Sequence, residues 1–329
     1  MSSTPFPRSF LATPKVAETL ASEPGTLALI GFDGARDAGD GHSAWIGTGL
    51  KTLAEPFVQV WQVATPVQYD HLGRFTTRTA PGIVMLAATL PDAEDPGPGA
   101  EELYRELFAA IEGLGCPHLL RVWQYLPRIT EARGEEDRYR VYCAGRRRAF
   151  MAAGRSDATL PAACLLGDAA DRILLYALAA DTPGRQIENP RQQSAFRYPE
   201  RYGRLPPSFS RALAVHRPGG EEQLYISGTA SITGHASRHQ TTLAQLEETL
   251  ANLEALVGNW RGAGGDALAA IAPMKVYLRH ADDIAAVRST LEARLPEGHP
   301  VAYLRADVCR PELRIEIEGM VQATARSKA

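Results

Sequence analysis

The chain is short of cysteine, of long apolar runs and of any surplus of basic charge. Its 329 residues hold 4 cysteines, Cys116, Cys143, Cys164 and Cys309. No two of them form a C-x-x-C pair, which excludes a disulfide-built scaffold and leaves a reducing, cytoplasmic setting as the expectation. No apolar run approaches the roughly 18–20 residues that span a bilayer, and the best stretch, 173–180, is far too short. The first 23 residues contain Pro5, Pro7 and Pro14 and no apolar core, so they do not read as a signal peptide. Lys and Arg number 35 against 38 Asp and Glu, a net charge of −3. That balance excludes a general binder of nucleic acid or membrane surfaces. Phosphate-cradling loops and the H-E-x-x-H zinc motif are missing. His235 and His239 stand four apart, but Gly234 breaks the helix they would need and no carboxylate completes a set. Neither a metal nor an organic cofactor is expected.

What is present is a packed globular protein, 45% hydrophobic and 22% charged, of a length that suits about two domains. Two segments alternate strand and helix in the same order. In the first, 82–89 reads as a strand, 91–99 as an acidic loop and 101–114 as a helix, with Leu103, Leu107, Ile111 and Leu114 at helical spacing. A strand at 118–126, a helix at 145–153 and strands at 162–166 and 172–179 follow. In the second, 223–230 is a strand and 241–260 a helix, with Leu243, Leu246, Leu250, Leu253 and Leu256 on one stripe. Then come a strand at 275–279, a helix at 281–295 and strands at 301–306 and 313–319. The repeated order predicts an α/β (α+β) fold of two similar units with mixed sheets and helices packed on one face. The expected division is 1–180, a connecting loop 181–219, and 220–329.

Residues 181–211 follow neither period. Within 185–211 stand six arginines (185, 191, 197, 201, 204 and 211) against two glutamates, with Phe196, Tyr198, Tyr202 and Phe209 among them. A long structureless stretch of this kind points to function. Planar guanidinium forks and aromatic walls suit a small anion, carboxylate above all; the plain alternative is a solvated loop whose arginines pair with acids elsewhere. Glu316 and Glu318, two apart on a strand, share the face opposite Ile315 and Ile317. Such a face is ordinarily the wet side of a sheet, but inside a pocket burial would keep a carboxyl protonated as a general acid. The small residues Ser227, Gly228, Thr229, Ala230 and Ser231 allow either a tight strand end or close approach of a ligand. Cys116, Cys143 and Cys164 read as packing residues.

Several long motifs resemble the chorismatase family. They are N-P-R-Q-Q-S-A-F-R-Y-P at 189–199, Tyr202-Gly203, Pro207 through Arg211-Ala212, R-V-W-Q-Y at 121–125, Arg138-Tyr139, and Gly145-Arg146. S-G-T-A-S-I at 227–232 with Gly234-His235, D-V-C-R at 307–310 and the I-E-I-E run at 315–318 complete them. The C-terminal half also resembles the RidA/YjgF fold, so the resemblance implies two tandem RidA/YjgF-like units. It implies chorismate as substrate, a dicarboxylate with an enolpyruvyl ether, and Glu316 as the acid that protonates the ether's methylene carbon. Cys309 matches a cysteine of hydroxybenzoate-forming members, and Ala230 stands where strict 3-hydroxybenzoate formers carry Gly. The pair is most similar to the bifunctional 3-/4-hydroxybenzoate-forming branch of the xanthomonadin pigment pathway, which makes pigment and ubiquinone biosynthesis the expected setting. The carboxylate-binding Arg of RidA has no counterpart here, because Val301 falls at its spacing. The clamp is therefore expected from Arg204 and Arg211 of the loop, from Arg279 and from Arg146, with Tyr198, Tyr202, Gly228 and Thr229 also at the substrate. The alternatives are a chorismate hydrolase giving a dihydroxycyclohexadiene carboxylate and a RidA-like imine deaminase. Monomer and homotrimer both fit the family resemblance.

Overall fold

In the computed structural model, which describes residues 6–34, 43–216, 222–262 and 266–322, two stretches of chain build sheets with the same strand order. The first places its strands in space as Gln68–Leu72, Phe75–Ala80, Ile83–Pro91, Arg172–Ala180, His118–Tyr125 and Ala162–Leu166. The second runs Arg185–Ile187, Ala212–His216, Glu222–Ala230, Ile315–Val321, Ile271–Leu278 and Val301–Arg305, with Lys51–Thr52 added at its edge. In each, the strand last in sequence slots into the middle, and only the fourth and fifth strands in sequence run parallel. A parallel pair needs a crossover, and the helices Arg138–Ala152 and Ile284–Glu292 supply it. The shared order places the expected repeat in the fold.

Helices cover the outer face of each sheet. Leu103, Leu107 and Ile111 of Pro96–Gly113 meet Val84, Val122 and Leu175. In the second half, Leu246, Leu250, Leu253 and Leu256 of Thr242–Arg261 meet Ile226, Val276 and Ile317. Each such leucine contributes about 1.5–3 kcal/mol by leaving water. Leu243, expected on the same stripe, is 43% exposed, because the stripe begins one turn later. The inner faces of both sheets share a third core of Trp123, Tyr125, Tyr176, Tyr225, Tyr277 and Met320.

Some boundaries differ from the sequence expectation for local reasons. The helix expected from residue 101 starts at Pro96, where Asp95 caps Gly97 N and proline takes the first turn. The helix expected from 145 starts at Arg138, capped by Asp137 on Arg140 N. Its arginines mask the apolar period, yet Arg138 is buried, bound to the carbonyls of Pro127 and Ala93 and paired with Asp92. The segment read as a helix over 281–295 is a short 3₁₀ turn, Ala281–Asp283, and then the helix Ile284–Glu292. Ahead of the first repeat, Arg8–Ala12, Val58–Gln62, Thr26–Gly31 and Trp45–Gly47 form a four-stranded sheet that no periodicity announced. Its Trp61 joins the inner core. The connecting region holds the short strand Arg185–Ile187 and two 3₁₀ turns, Ala195–Arg197 and Glu200–Tyr202. The division expected at residues 219 and 220 lies outside the described residues.

Candidate active site

A pocket forms where Ala162–Leu166 of the first half meets Glu222–Ala230 of the second. The two are stitched by Ser227, whose Oγ accepts from Ala163 N at 2.8 Å and donates to Ser210 O at 2.6 Å. Cys164 lines the pocket from the first strand and Gly228 and Ala230 from the second. The helix Arg138–Ala152 contributes Tyr139, Arg140 and Arg146, the connecting loop Tyr198, Tyr202, Phe209 and Arg211, and the turn after Asp307 Cys309 and Arg310. Glu316 completes the wall. Both halves and the loop are needed to enclose it.

Glu316 and Glu318 have different surroundings. Glu318 accepts from Trp123 Nε1 at 2.9 Å and from Tyr277 Oη at 2.6 Å, and pairs with Lys275 at 2.6 Å and with Arg121. Glu316 is only 5% exposed, and among the described residues no side chain donates to its carboxyl. Burial pushes its pKa up to about 8, against a smaller opposing pull from Arg121 and Arg211. At neutral pH it is therefore a protonated acid facing a cavity. Gly228 makes the room, since a Cβ there would overlap Glu316 Oε1. Cys309 is held as a neutral thiol, its pKa pushed up to about 12 by burial and by Glu316.

Two buried guanidinium groups at the pocket have no carboxylate partner among the described residues. Arg146, 1% exposed, reaches only Gln124 Oε1 at 3.4 Å and Cys143 Sγ at 3.7 Å, and its Nε is without a partner. Arg211, 3% exposed, donates to Gln193 O at 2.7 Å and Tyr198 Oη at 2.6 Å, leaving its Nε free. Buried cations without counter-ions are costly, so this geometry can hold an anion with more than one negative group. Arg310 stacks 4.1 Å over the Tyr202 ring, held by His235 O and Ser237 Oγ.

The expected site residues separate accordingly. Glu316, Cys309, Ala230, Gly228, Arg146, Tyr198, Tyr202 and Arg211 all line this pocket. Arg204 does not: its side chain is 79% exposed and pairs with Glu135. Arg185 and Arg191 likewise pair with Glu222 and Glu248, so for these three the solvated-loop alternative holds. Arg279 is not at the pocket either. It braces the turn that carries Cys309, bonding to the carbonyls of Leu313, Val308 and Arg310 and to Asp307. Thr229 is also absent from the wall, because strand alternation turns it away from Gly228 and Ala230 and its hydroxyl donates to Ser227 O. Sequence reasoning gave no site role to Asp137, Tyr139, Arg140, Cys164, Arg310 and Glu312, which also line the pocket, although Arg138-Tyr139 and D-V-C-R at 307–310 stood among its motifs. Their available signal was the density of arginine in 138–148 and the Arg that follows Cys309. His235 sits against Arg201 and Tyr202 rather than with His239. No group of metal-ligating side chains and no helix long and apolar enough to cross a membrane occurs among the described residues.

The chain is similar to known proteins over most of its length. Residues 59–179 match the family model described as chorismatase FkbO/Hyg5-like, N-terminal. A protein of Streptomyces rapamycinicus named chorismatase is 37% identical over 277 residues, 81% of this chain and 83% of its own. A 3-hydroxybenzoate synthase of Streptomyces hygroscopicus is 33% identical over 281 residues, 82% of each chain. A chorismatase crystal structure superposes with a TM-score of 0.89 at 30% identity, covering 98% of this chain and 100% of that one.

Proposed function

This chain belongs to the chorismatase family, and on that premise we propose that it cleaves chorismate, releasing pyruvate together with 3- and 4-hydroxybenzoate. One observation carries the reading: a neutral buried acid, Glu316, faces the same pocket as the carboxylate-free guanidinium groups Arg146 and Arg211. The two cations suit the two carboxylates of chorismate, and Tyr198, Tyr202 and Phe209 suit its ring.

In the proposed reaction Glu316 delivers its proton to the methylene carbon of the enolpyruvyl ether. The positive charge that develops on the ether carbon is spread onto the ether oxygen as an oxocarbenium ion, beside the carboxylate Glu316 has just become. The bond between the ring carbon and the ether oxygen then breaks with its electron pair going to the oxygen, which releases pyruvate, and the proton the ring loses on becoming aromatic restores Glu316 to its acid form. The atoms of chorismic acid divide between pyruvic and hydroxybenzoic acids with none left over, so no redox partner is required. Cys309, a neutral thiol and a poor hydrogen-bond partner, holds attacking water badly and favours the aromatic outcome over the dihydrodiol. Ala230 trims the pocket by one methyl relative to Gly and sets the balance between the two isomers.

The test is incubation with chorismate followed by chromatography. Pyruvate with both hydroxybenzoates is the expected result. A dihydroxycyclohexadiene carboxylate alone would place the protein in the hydrolytic branch, and no pyruvate at all, with ammonia released from an imino acid, would make it a deaminase.

A further inference from the structure

Behind Glu316, away from its pocket, lies a buried charge cluster that the reaction above does not use. Arg121, Trp123, Lys275 and Glu318 surround a second, smaller cavity, and none of them lines the first. Arg121, Lys275 and Glu318 are all almost fully buried. Two hydrogen-bond donors and two cations from two sheets converge on the single Glu318 carboxylate: Trp123 and Arg121 from the first, Tyr277 and Lys275 from the second. A buried negative charge requires such an arrangement, yet a neutral cluster could have been built more simply. Burial pulls the Lys275 ammonium down to about 7, and the Glu318 carboxylate 2.6 Å away holds its proton on; with Lys275 charged, two cations and one anion leave a positive excess two residues from the acid.

We propose that Glu318 is a positioning residue for Glu316: by holding Arg121 and Lys275 against its own carboxylate, it keeps two buried cations from drawing the proton off the acid. The proposal rests on the reading of Glu316 as the proton donor. Arg121 links the two sites, because its guanidinium pairs with Glu318 while its charge also acts on Glu316. Tyr277, which donates to Glu318, is the register partner of Glu316, and Lys275 is the register partner of Glu318. The other charged or titratable groups facing Glu316 are Arg211 at the end of the loop, Cys164 on the first-half strand and Cys309 on the turn. Arg140, Arg146, Arg310, Tyr139, Tyr198, Tyr202 and the carboxylates Asp137 and Glu312 lie on the same pocket wall. Asp137 pairs with Arg140 and Glu312 accepts from Ser237, so Glu318 is the carboxylate that pairs with Arg121, the cation shared with Glu316. In so dry a setting their charges are weakly screened.

The experiment is the pH profile of kcat on chorismate for the wild type, Glu318→Gln, Lys275→Met and the double variant, each checked for folding by circular dichroism. Glu318→Gln leaves two cations uncompensated, stabilises ionised Glu316, and should move the basic limb down by about one pH unit or more, the size of a close charge effect. Lys275→Met removes a cation and should move the limb up. The double variant removes one charge of each sign and should return it towards the wild-type position. A purely structural role would lower kcat in all three with the limb unmoved, and that result overturns the proposal. Should Glu318→Gln not fold, Lys275→Met decides alone, since an unmoved limb there also overturns it. Failure of the underlying reading looks different: Glu316→Gln would turn over chorismate at the wild-type rate, whatever the limb does in the other variants.

Discussion

The two halves of the molecule share a strand order, but the same slot holds opposite chemistry. In the first half the inserted strand Arg172–Ala180 turns Leu174, Tyr176 and Leu178 into the inner core. In the second half the inserted strand Ile315–Val321 carries Glu316 and Glu318 there, followed by Met320. One strand is a wall and the other bears a candidate acid, although both are buried between equivalent neighbours. Topology therefore supplies a position, and the side chains decide whether it does chemistry. The first half is still not a bystander, for it contributes Arg146, Tyr139 and Cys164 to the pocket.

The largest effect should follow from removing the acid. Glu316→Gln should cut turnover by about 10²–10⁴-fold with chorismate binding retained, as read by steady-state kinetics and calorimetry. Near-wild-type turnover would strip the second half of its distinction. The same variant tests the pH linkage. The folded state holds this proton up to about 8, whereas an unfolded chain releases it in the ordinary carboxylate range. Wild-type stability should therefore fall, by up to about 1.4 kcal/mol per pH unit, as pH rises between those limits. The Gln variant should lack that slope in a urea titration.

A glycine in each half sharpens the contrast. Gly228→Ala would push a methyl into Glu316 Oε1 and should lower kcat about 10²-fold, the effect of an ångström-scale misplacement, with little change in Tm. Gly145→Ala would meet the backbone of Gly97 where two helices touch and should cost about 1–3 kcal/mol of stability, with kcat per folded molecule kept. The opposite pattern would show that the helix contact, not the pocket, governs activity.

Next in size are the clamps. Arg146→Met from the first half and Arg211→Ala from the loop should each weaken chorismate binding by about 1.5–3 kcal/mol, the value of a hydrogen bond to a charged group. Arg204→Ala should leave KM unchanged, because that side chain is spent on Glu135 at the surface. An Arg211→Ala protein with unchanged affinity would shift the clamp wholly onto the helix.

The smallest effect is on product ratio, where about 1.4 kcal/mol in relative barrier is tenfold. Cys309→Ala should lose much of the 3-hydroxybenzoate, with dihydrodiol or 4-hydroxybenzoate rising, and Ala230→Gly should favour the 3-isomer. Ratios unchanged in Cys309→Ala would reduce Cys309 to a packing residue.

Much of this protein is legible in local order along the chain. Apolar spacing located the helices under each sheet, strand alternation put Glu316 and Glu318 on one face, and the arginine-rich aromatic stretch marked the loop that closes the pocket. These signals are short-range, and a period of 2 or 3.6 survives in sequence. The opening four-stranded sheet lacked them, since Thr26–Gly31 is buried throughout and shows no alternation. Only the tertiary structure decided which arginines meet the pocket and which pair at the surface. It alone separated the two glutamates, leaving one unpartnered against Gly228 and surrounding the other with cations. The reason is physical: burial and charge pairing are set by groups distant in the chain, as when Trp123 donates to Glu318 from 195 residues away.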